Sequence, residues 1–336
     1  MRGYRNPKKG EYGFEYLTKI KCMMSSHALD YLQWMQVRNY SPATIHGRMK
    51  DLAYFIAWSI EHGLNDPVEI TKPIIERYQK YLYHYRQKKC SLPLSTVSQI
   101  HRLSAVRSFF KWLTKQNYLL YNPASEIELP RLQHRLPKVI LSAAEADQVL
   151  NQTNIHDPLG IRDRAILEVF YSTGMRRMEI VNLKFFDVDF DRGTIMIRQG
   201  KGKKDRVIPV GERALKWVEK YLLEVRPSLV LMPDDGTLFL TAQGEYFCKD
   251  RVTSMVGDYV EKANIGKNGA CHMFRHTCAT LMLEGGADIR FIQQMLGHSS
   301  LTTTEIYTQV SIRKLKEIHS ATHPAKLTKE PQNSSL

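Results

Sequence analysis

Tyr307 stands nine residues after His298, at the end of the run Leu296-Gly297-His298-Ser299-Ser300-Leu301-Thr302-Thr303-Thr304-Glu305-Ile306-Tyr307. Upstream lies His272-Met273-Phe274-Arg275-His276, and earlier still Thr173-Gly174-Met175-Arg176. Two arginines, two histidines and a tyrosine are the groups that can break and rejoin a phosphodiester without metal or nucleotide. A phenol oxygen attacking phosphorus stores the bond energy in a phosphotyrosyl ester. The transition state gathers negative charge on the non-bridging oxygens, and arginine answers it with a permanently charged, two-pronged donor. A tyrosine hydroxyl, with an ordinary pKa of about 10, needs a base at neutral pH.

Each element taken alone has a plainer explanation. His-x-x-Arg-His on a helix can be a surface or capping feature. One of 17 tyrosines can be a packed phenol. Gly200-Lys201-Gly202-Lys203-Lys204 can be a solvated turn, and it lacks the spacing of a Walker phosphate loop. Thr302-Thr303-Thr304 is ordinary helix-start chemistry. Their joint occurrence in one order is what carries the functional reading.

The elements that must position these groups differ between the two halves. The front half reads as helices. Segment 26–38 sets Leu29, Leu32 and Met35 on one face. Ser41-Pro42 supplies an N-cap and a first-turn proline, followed by the stripe Ile45, Met49, Leu52, Phe55/Ile56, Ile60 and a stop at Gly63. Thr71 with Pro73 opens a third helix, and Ser95 a fourth that carries Leu103, Val106, Phe110 and Leu113. The pattern predicts a small helical bundle. Tyr54, Phe55, Trp58, Phe109, Phe110 and Trp112 on these stripes are expected in its core rather than as base-stacking platforms. Residues 118–137, with Pro123, Pro130 and Pro137, predict an extended linker. Ser142 and Glu145 form a capping box. The back half is mixed. A buried helix is expected over 161–172, strands over 194–198 and 206–210 around the turn at Lys201, and a short strand over 238–241. Helices are expected over 249–263, 272–285 and 289–296.

The chain has 336 residues, 48 Lys+Arg and 34 Asp+Glu, a net charge of +14. The excess is concentrated. Residues 1–135 hold 21 basic against 10 acidic side chains, and residues 136–336 hold 27 against 24. A basic front half points to a polyanionic partner; a solubility effect is the alternative. The five cysteines form no Cys-x-x-Cys, which argues against a disulfide framework and for a reducing compartment. Cys271, His272, His276 and Cys278 match no usual zinc spacing, so neither a metal nor a cofactor is expected. No apolar run has the length of a membrane span and no signal peptide is evident, which makes the cytoplasm the expected location. The stretch 1–24 reads either as a disordered basic arm or as an extension upstream of a start at Met23 or Met24.

On these motifs the chain resembles the tyrosine recombinase/phage integrase family, nearest to its Xer-type site-specific recombinases and their mobile-element relatives, over about residues 26–320. The resemblance implies a mainly α fold with a small antiparallel β-sheet (α+β) in the catalytic domain, and two domains clamping duplex DNA. The implied division is 1–24 basic extension, 25–117 helical SAM-like core-binding domain, 118–137 linker, 138–323 catalytic domain and 324–336 disordered tail. It also implies the roles. Arg176 and Arg275 are the catalytic arginines, Lys201 the catalytic lysine and candidate acid, and His272 the candidate base. His298 is the second histidine position, a donor to phosphate, and Tyr307 is the nucleophile. Glu179, one helical turn after Arg176, is a candidate orienter of an arginine. The implied reaction is cleavage and rejoining through a 3′-phosphotyrosyl intermediate and a Holliday junction, without ATP or metal. The implied partners are a double-stranded DNA recombination site and further protomers. These make a homotetramer on two DNA sites, or a heterotetramer with a related recombinase. The segment Val310 to Ile318 would dock on a neighbouring protomer or on its own domain. Met178 and Phe274 depart from common family residues, as packing changes. A type IB-like topoisomerase and a DNA-binding regulator with a dead catalytic fold are the rival functions. Within the recombinases, housekeeping dimer resolution and mobile-element integration or excision both remain open.

Overall fold

The computed structural model describes residues 14–20, 22–87, 91–132, 140–198 and 205–297. Among the described residues, helices dominate and a three-stranded antiparallel sheet is the only sheet. The chain divides into two compact units, Met1–His134 and Arg135–Leu336.

The first unit is the helical bundle that the apolar stripes require. Its elements are α1 (Phe14–Lys19), α2 (Met23–Val37), α3 (Pro42–Glu61), α4 (Lys72–His84) and α5 (Thr96–Lys115). The caps stand where the sequence puts them: Ser41 Oγ accepts from the Thr44 amide and Ser95 Oγ from the Ser98 amide, each at 3.2 Å. Gly63 follows α3 at φ +77°. Phe55, Trp58, Phe109, Phe110 and Trp112 are buried in the core as expected. Phe55 meets Tyr78 and Phe110 edge-on, at centroid distances of 5.0 and 6.0 Å. Tyr54 departs from that group. It is half-buried, with the Arg102 guanidinium 3.8 Å above its ring. Packed structure also reaches ahead of residue 25, because Leu17, Ile20 and Met24 are buried in the same core. At the other end, Ala124 and Ile127 of the proline-rich segment are buried there too, and Gln79 donates to the Glu128 carbonyl at 3.0 Å.

The second unit is built around α7 (Pro158–Thr173), preceded by α6 (Ala143–Leu150) and followed by α8 (Arg177–Val181). The capping box on α6 is present: the Ser142 amide donates to Glu145 at 2.7 Å and the Glu145 amide to Ser142 at 3.2 Å. α7 is buried along nearly its whole length and packs on α9 (Glu212–Glu224) and α12 (Cys271–Glu284). The sheet runs β1 (Val188–Asp189), β2 (Thr194–Ile197), β3 (Arg206–Pro209), with Ile195 paired to both Val188 and Ile208. The remaining elements are α10 (Arg226–Leu229), α11 (Lys249–Lys262) and α13 (Ile289–Leu296).

The strand expected over 238–241 is corrected by the structure, which has only single-residue bridges, Lys184 with Thr237 and Leu240 with Tyr246. Side chains occupy the backbone groups that a ladder would use. Arg226 takes the Thr237 carbonyl through two nitrogens, Arg162 takes the Leu240 carbonyl at 3.1 Å, and the Leu240 amide donates to Tyr221 Oη. The third strand is instead the short β1. The turn at 200–202 and the segments 1–13 and 298–336 lie outside the described residues.

Candidate active site

Arg176 is presented by a turn that only glycine allows. α7 ends on Gly174, in the left-handed region at φ +59°, whose amide returns to the Phe170 carbonyl. A Cβ there would lie 2.9 Å from Leu296 Cδ2 and 3.4 Å from Cys278. The turn is therefore seated against α12 and α13 at van der Waals distance. Arg176 itself is the N-cap of α8. Its amide donates to Glu179 Oε2 at 2.8 Å and its Nη1 to Glu179 Oε1 at 3.0 Å. Glu179 thus orients an arginine, and it does so for two. Arg206, at the start of β3, donates Nη1 to Oε1 at 2.9 Å and Nη2 to Oε2 at 2.8 Å. Burial by itself pushes the Glu179 carboxyl up. Hydrogen bonds from Arg206 and the Arg176 amide, with both guanidinium charges, more than reverse this and leave it below the ordinary carboxylate range.

Arg275 lies on α12 and is 4% exposed. Its Nη1 donates to the Gly174 carbonyl and its Nη2 to the Leu296 carbonyl, both at 2.7 Å. The C-terminus of α13 is the shared anchor. The last carbonyls of a helix have no partner within it, and here three successive ones each receive an arginine. Met295 takes Arg206 Nε at 3.1 Å, Leu296 takes Arg275, and Gly297 takes Arg176 Nη2 at 2.8 Å. The partial negative charge of the helix end suits this role.

His272 occupies the first turn of the same α12, three residues before Arg275, with part of its ring open to solvent. Burial of the rest of the ring lowers its pKa, and the charges of Arg275, Arg177 and Arg176 lower it further. The imidazole is therefore neutral at pH 7, the state a base must be in. His276 is lowered by burial and by the same neighbours. Burial also pushes Cys271 up to about 11 and Cys278 up to about 12, so both thiols stay protonated. Among the described residues, no cluster of His, Cys, Asp or Glu is placed to hold a metal ion.

Of the six residues singled out in the sequence, Arg176, His272 and Arg275 are brought together. Lys201, His298 and Tyr307 lie outside the described residues, as does the segment Val310 to Ile318. Arg206 was passed over in the sequence because it reads as the first residue of a strand. The available signal was its charge, at the first position of a strand that follows Gly200-Lys201-Gly202 in the sequence.

These features agree with comparisons to known proteins. The sequence model of the Phage integrase family matches residues 140–313, and that of the Phage integrase N-terminal SAM-like domain matches residues 29–117. Tyrosine recombinase XerC 2 of Ralstonia nicotianae is 47% identical over 300 residues, covering 89% of this chain and 86% of that protein. Tyrosine recombinase XerC of Escherichia coli O157:H7 is 34% identical over 297 residues, covering 88% and 95%. The post-cleavage complex of the XerH site-specific recombinase bound to palindromic difH substrate is similar in structure. It has a TM-score of 0.67 and 25% identity, covering 84% of this chain and 81% of that one. The chain belongs to the phage integrase family and is a tyrosine-type site-specific recombinase. The regulator and topoisomerase readings are not favoured. No described helix is long and apolar enough to cross a membrane.

Proposed function

We propose that this recombinase acts on double-stranded DNA in the cytoplasm, with Tyr307 as the nucleophile. The Tyr307 hydroxyl attacks the scissile phosphorus as His272 takes its proton. A P–O bond to the tyrosine forms, the P–O5′ bond breaks, and the leaving 5′ oxygen receives a proton from Lys201. Arg176, Arg275 and His298 hold the non-bridging oxygens, whose charge peaks in the pentavalent state. Religation runs the same steps backwards with a 5′-hydroxyl from the partner duplex, so no nucleotide is consumed. Four protomers on two sites carry the exchange through a Holliday junction. The basic first unit supplies the phosphate contacts that hold the duplex.

The observation that carries this reading is the convergence of Arg176 and Arg275 on the last carbonyls of α13. The sequence continues directly from this point into His298 and Tyr307. Two guanidinium groups fixed beside a neutral imidazole form a site for a phosphodiester.

The test is a suicide-substrate assay with nicked duplexes built from DNA flanking the gene, run in chelator. A denaturation-resistant protein–DNA adduct, absent from Tyr307→Phe, is the expected result. An adduct that persists in Tyr307→Phe overturns the assignment. A two-site assay then separates strand exchange from mere nicking and resealing.

A further inference from the structure

Arg206 has no part in the chemistry above, yet its three donor nitrogens are all committed within that site. Nη1 and Nη2 clamp both oxygens of Glu179 and Nε holds the Met295 carbonyl. We propose that Arg206 is a positioning residue for the reaction, setting the plane of the Arg176 guanidinium by saturating Glu179 and fixing it against the end of α13. The inference rests on the reading of Arg176 as the group that neutralises the scissile phosphate.

A carboxylate accepts about four hydrogen bonds. Glu179, 6% exposed at its side chain, has all four: two from Arg206, one from the Arg176 amide and one from Arg176 Nη1. Arg176 therefore spends one N–H on Glu179 and one on Gly297, and among the described residues its other donors stay open for an acceptor. Remove Arg206, and two acceptor positions on a buried carboxylate fall empty. The nearest cation able to fill them is Arg176. A two-pronged pair between Arg176 and Glu179 would then consume the donors that the phosphate needs. The same loss frees the Met295 carbonyl and loosens the helix end that aligns Arg176 through Gly297. Arg206 also begins β3, so the clamp ties that strand to the arginine cluster.

Lysine cannot substitute. A single ammonium nitrogen cannot span both carboxylate oxygens and the Met295 carbonyl in the geometry that the three guanidinium nitrogens hold, whereas the planar fork reaches a carboxylate and a carbonyl together. Arg206 is not itself the better phosphate ligand, because all three of its nitrogens already donate within the protein, whereas Arg176 Nε has no acceptor among the described residues.

The experiment uses full-length protein and the flanking nicked duplex on which wild type forms its adduct. That duplex is made with either an ordinary phosphate or an uncharged methylphosphonate at the scissile position. Single-turnover adduct formation at saturating DNA is compared for wild type, Arg206→Gln and Arg206→Lys, each checked for folding by circular dichroism. On the phosphodiester both variants should slow by roughly 10- to 100-fold, the scale of a misplaced catalytic group. On the methylphosphonate, which has lost one non-bridging oxygen and its charge and so leans less on an arginine, both should come within about threefold of wild type. If Arg206→Gln does not fold, Arg206→Lys carries the comparison alone. Equal losses on the two substrates, or no loss on the phosphodiester, overturn the proposal. An adduct formed by Tyr307→Phe would instead overturn the reading beneath it.

Discussion

Arg275 donates to the carbonyl of Gly174, 101 residues upstream, at 2.7 Å. The bond joins one arginine to the turn that presents the other, so Arg275 fixes the position of Arg176. Its second prong, on Leu296, extends the tie to α13.

An Arg275→Lys protein keeps the charge and loses the fork. One buried, charge-assisted hydrogen bond goes unmade, at a cost of about 1.5–3 kcal/mol. We expect the midpoint of thermal unfolding to fall by roughly 2–4 °C for each kcal/mol lost, together with adduct formation. Unchanged stability would mean that the ammonium reaches both carbonyls.

Acid should weaken the second unit within a defined window. His272 and His276 have folded-state pKa values below their ordinary value of about 6.5. The unfolded chain therefore takes up those protons first, and stability falls as the pH drops below about 6.5. Above that value these groups contribute no slope. Glu179 acts in a lower window, since its depressed carboxyl adds stability that is lost only as pH falls through the carboxylate range. Urea unfolding between pH 7.5 and 5.5 should show a slope that shrinks in His276→Gln. An identical slope in the variant would assign the effect elsewhere.

Gly297→Ala is expected to be costly on two counts. Gly297 caps α13 at φ +65°, and a Cβ there would stand 3.1 Å from Arg206 Cζ and Nε. The conformation alone costs about 1 kcal/mol. Displacement of the clamp should add a fall in adduct formation that exceeds what the stability loss explains. Calorimetry and the adduct assay, run on one preparation, separate the two effects.

In the first unit, Tyr78→Phe should stabilise. The Tyr78 hydroxyl is buried and has no hydrogen-bond partner among the described residues. Leaving such a group unsatisfied costs about 1–3 kcal/mol, and its deletion keeps the ring that packs on Phe55. A lower unfolding midpoint in the variant would show that the hydroxyl is satisfied in solution.

Much of this was legible along the chain because local rules did the work. Ser41-Pro42, Ser95 and the Ser142–Glu145 box act on amides three residues away, so they can be read without the fold. The 238–241 strand misled for the opposite reason: its apolar run is buried, but the Leu240 carbonyl belongs to Arg162, 78 residues away, and the adjoining Thr237 carbonyl to Arg226. α9 was passed over although Ala214, Leu215, Val218 and Tyr221 bury one helical face, because charged neighbours break up the run. In the site, residue types could be picked out from motif spacing. What spacing cannot show is that Arg206, Arg275 and Arg176 meet three successive carbonyls of one helix.

That arrangement has a consequence for the order of synthesis. A chain emerging from the ribosome exposes Arg176 and Glu179 more than a hundred residues before the carbonyls of Met295, Leu296 and Gly297 exist. Domains fold as units, N-terminal first, so the first unit can be complete while the arginines still lack their frame. A stalled or prematurely terminated product that ends before α13 thus carries a complete first unit and arginines without their three carbonyl acceptors. The fold places the last permission to cut near the end of translation.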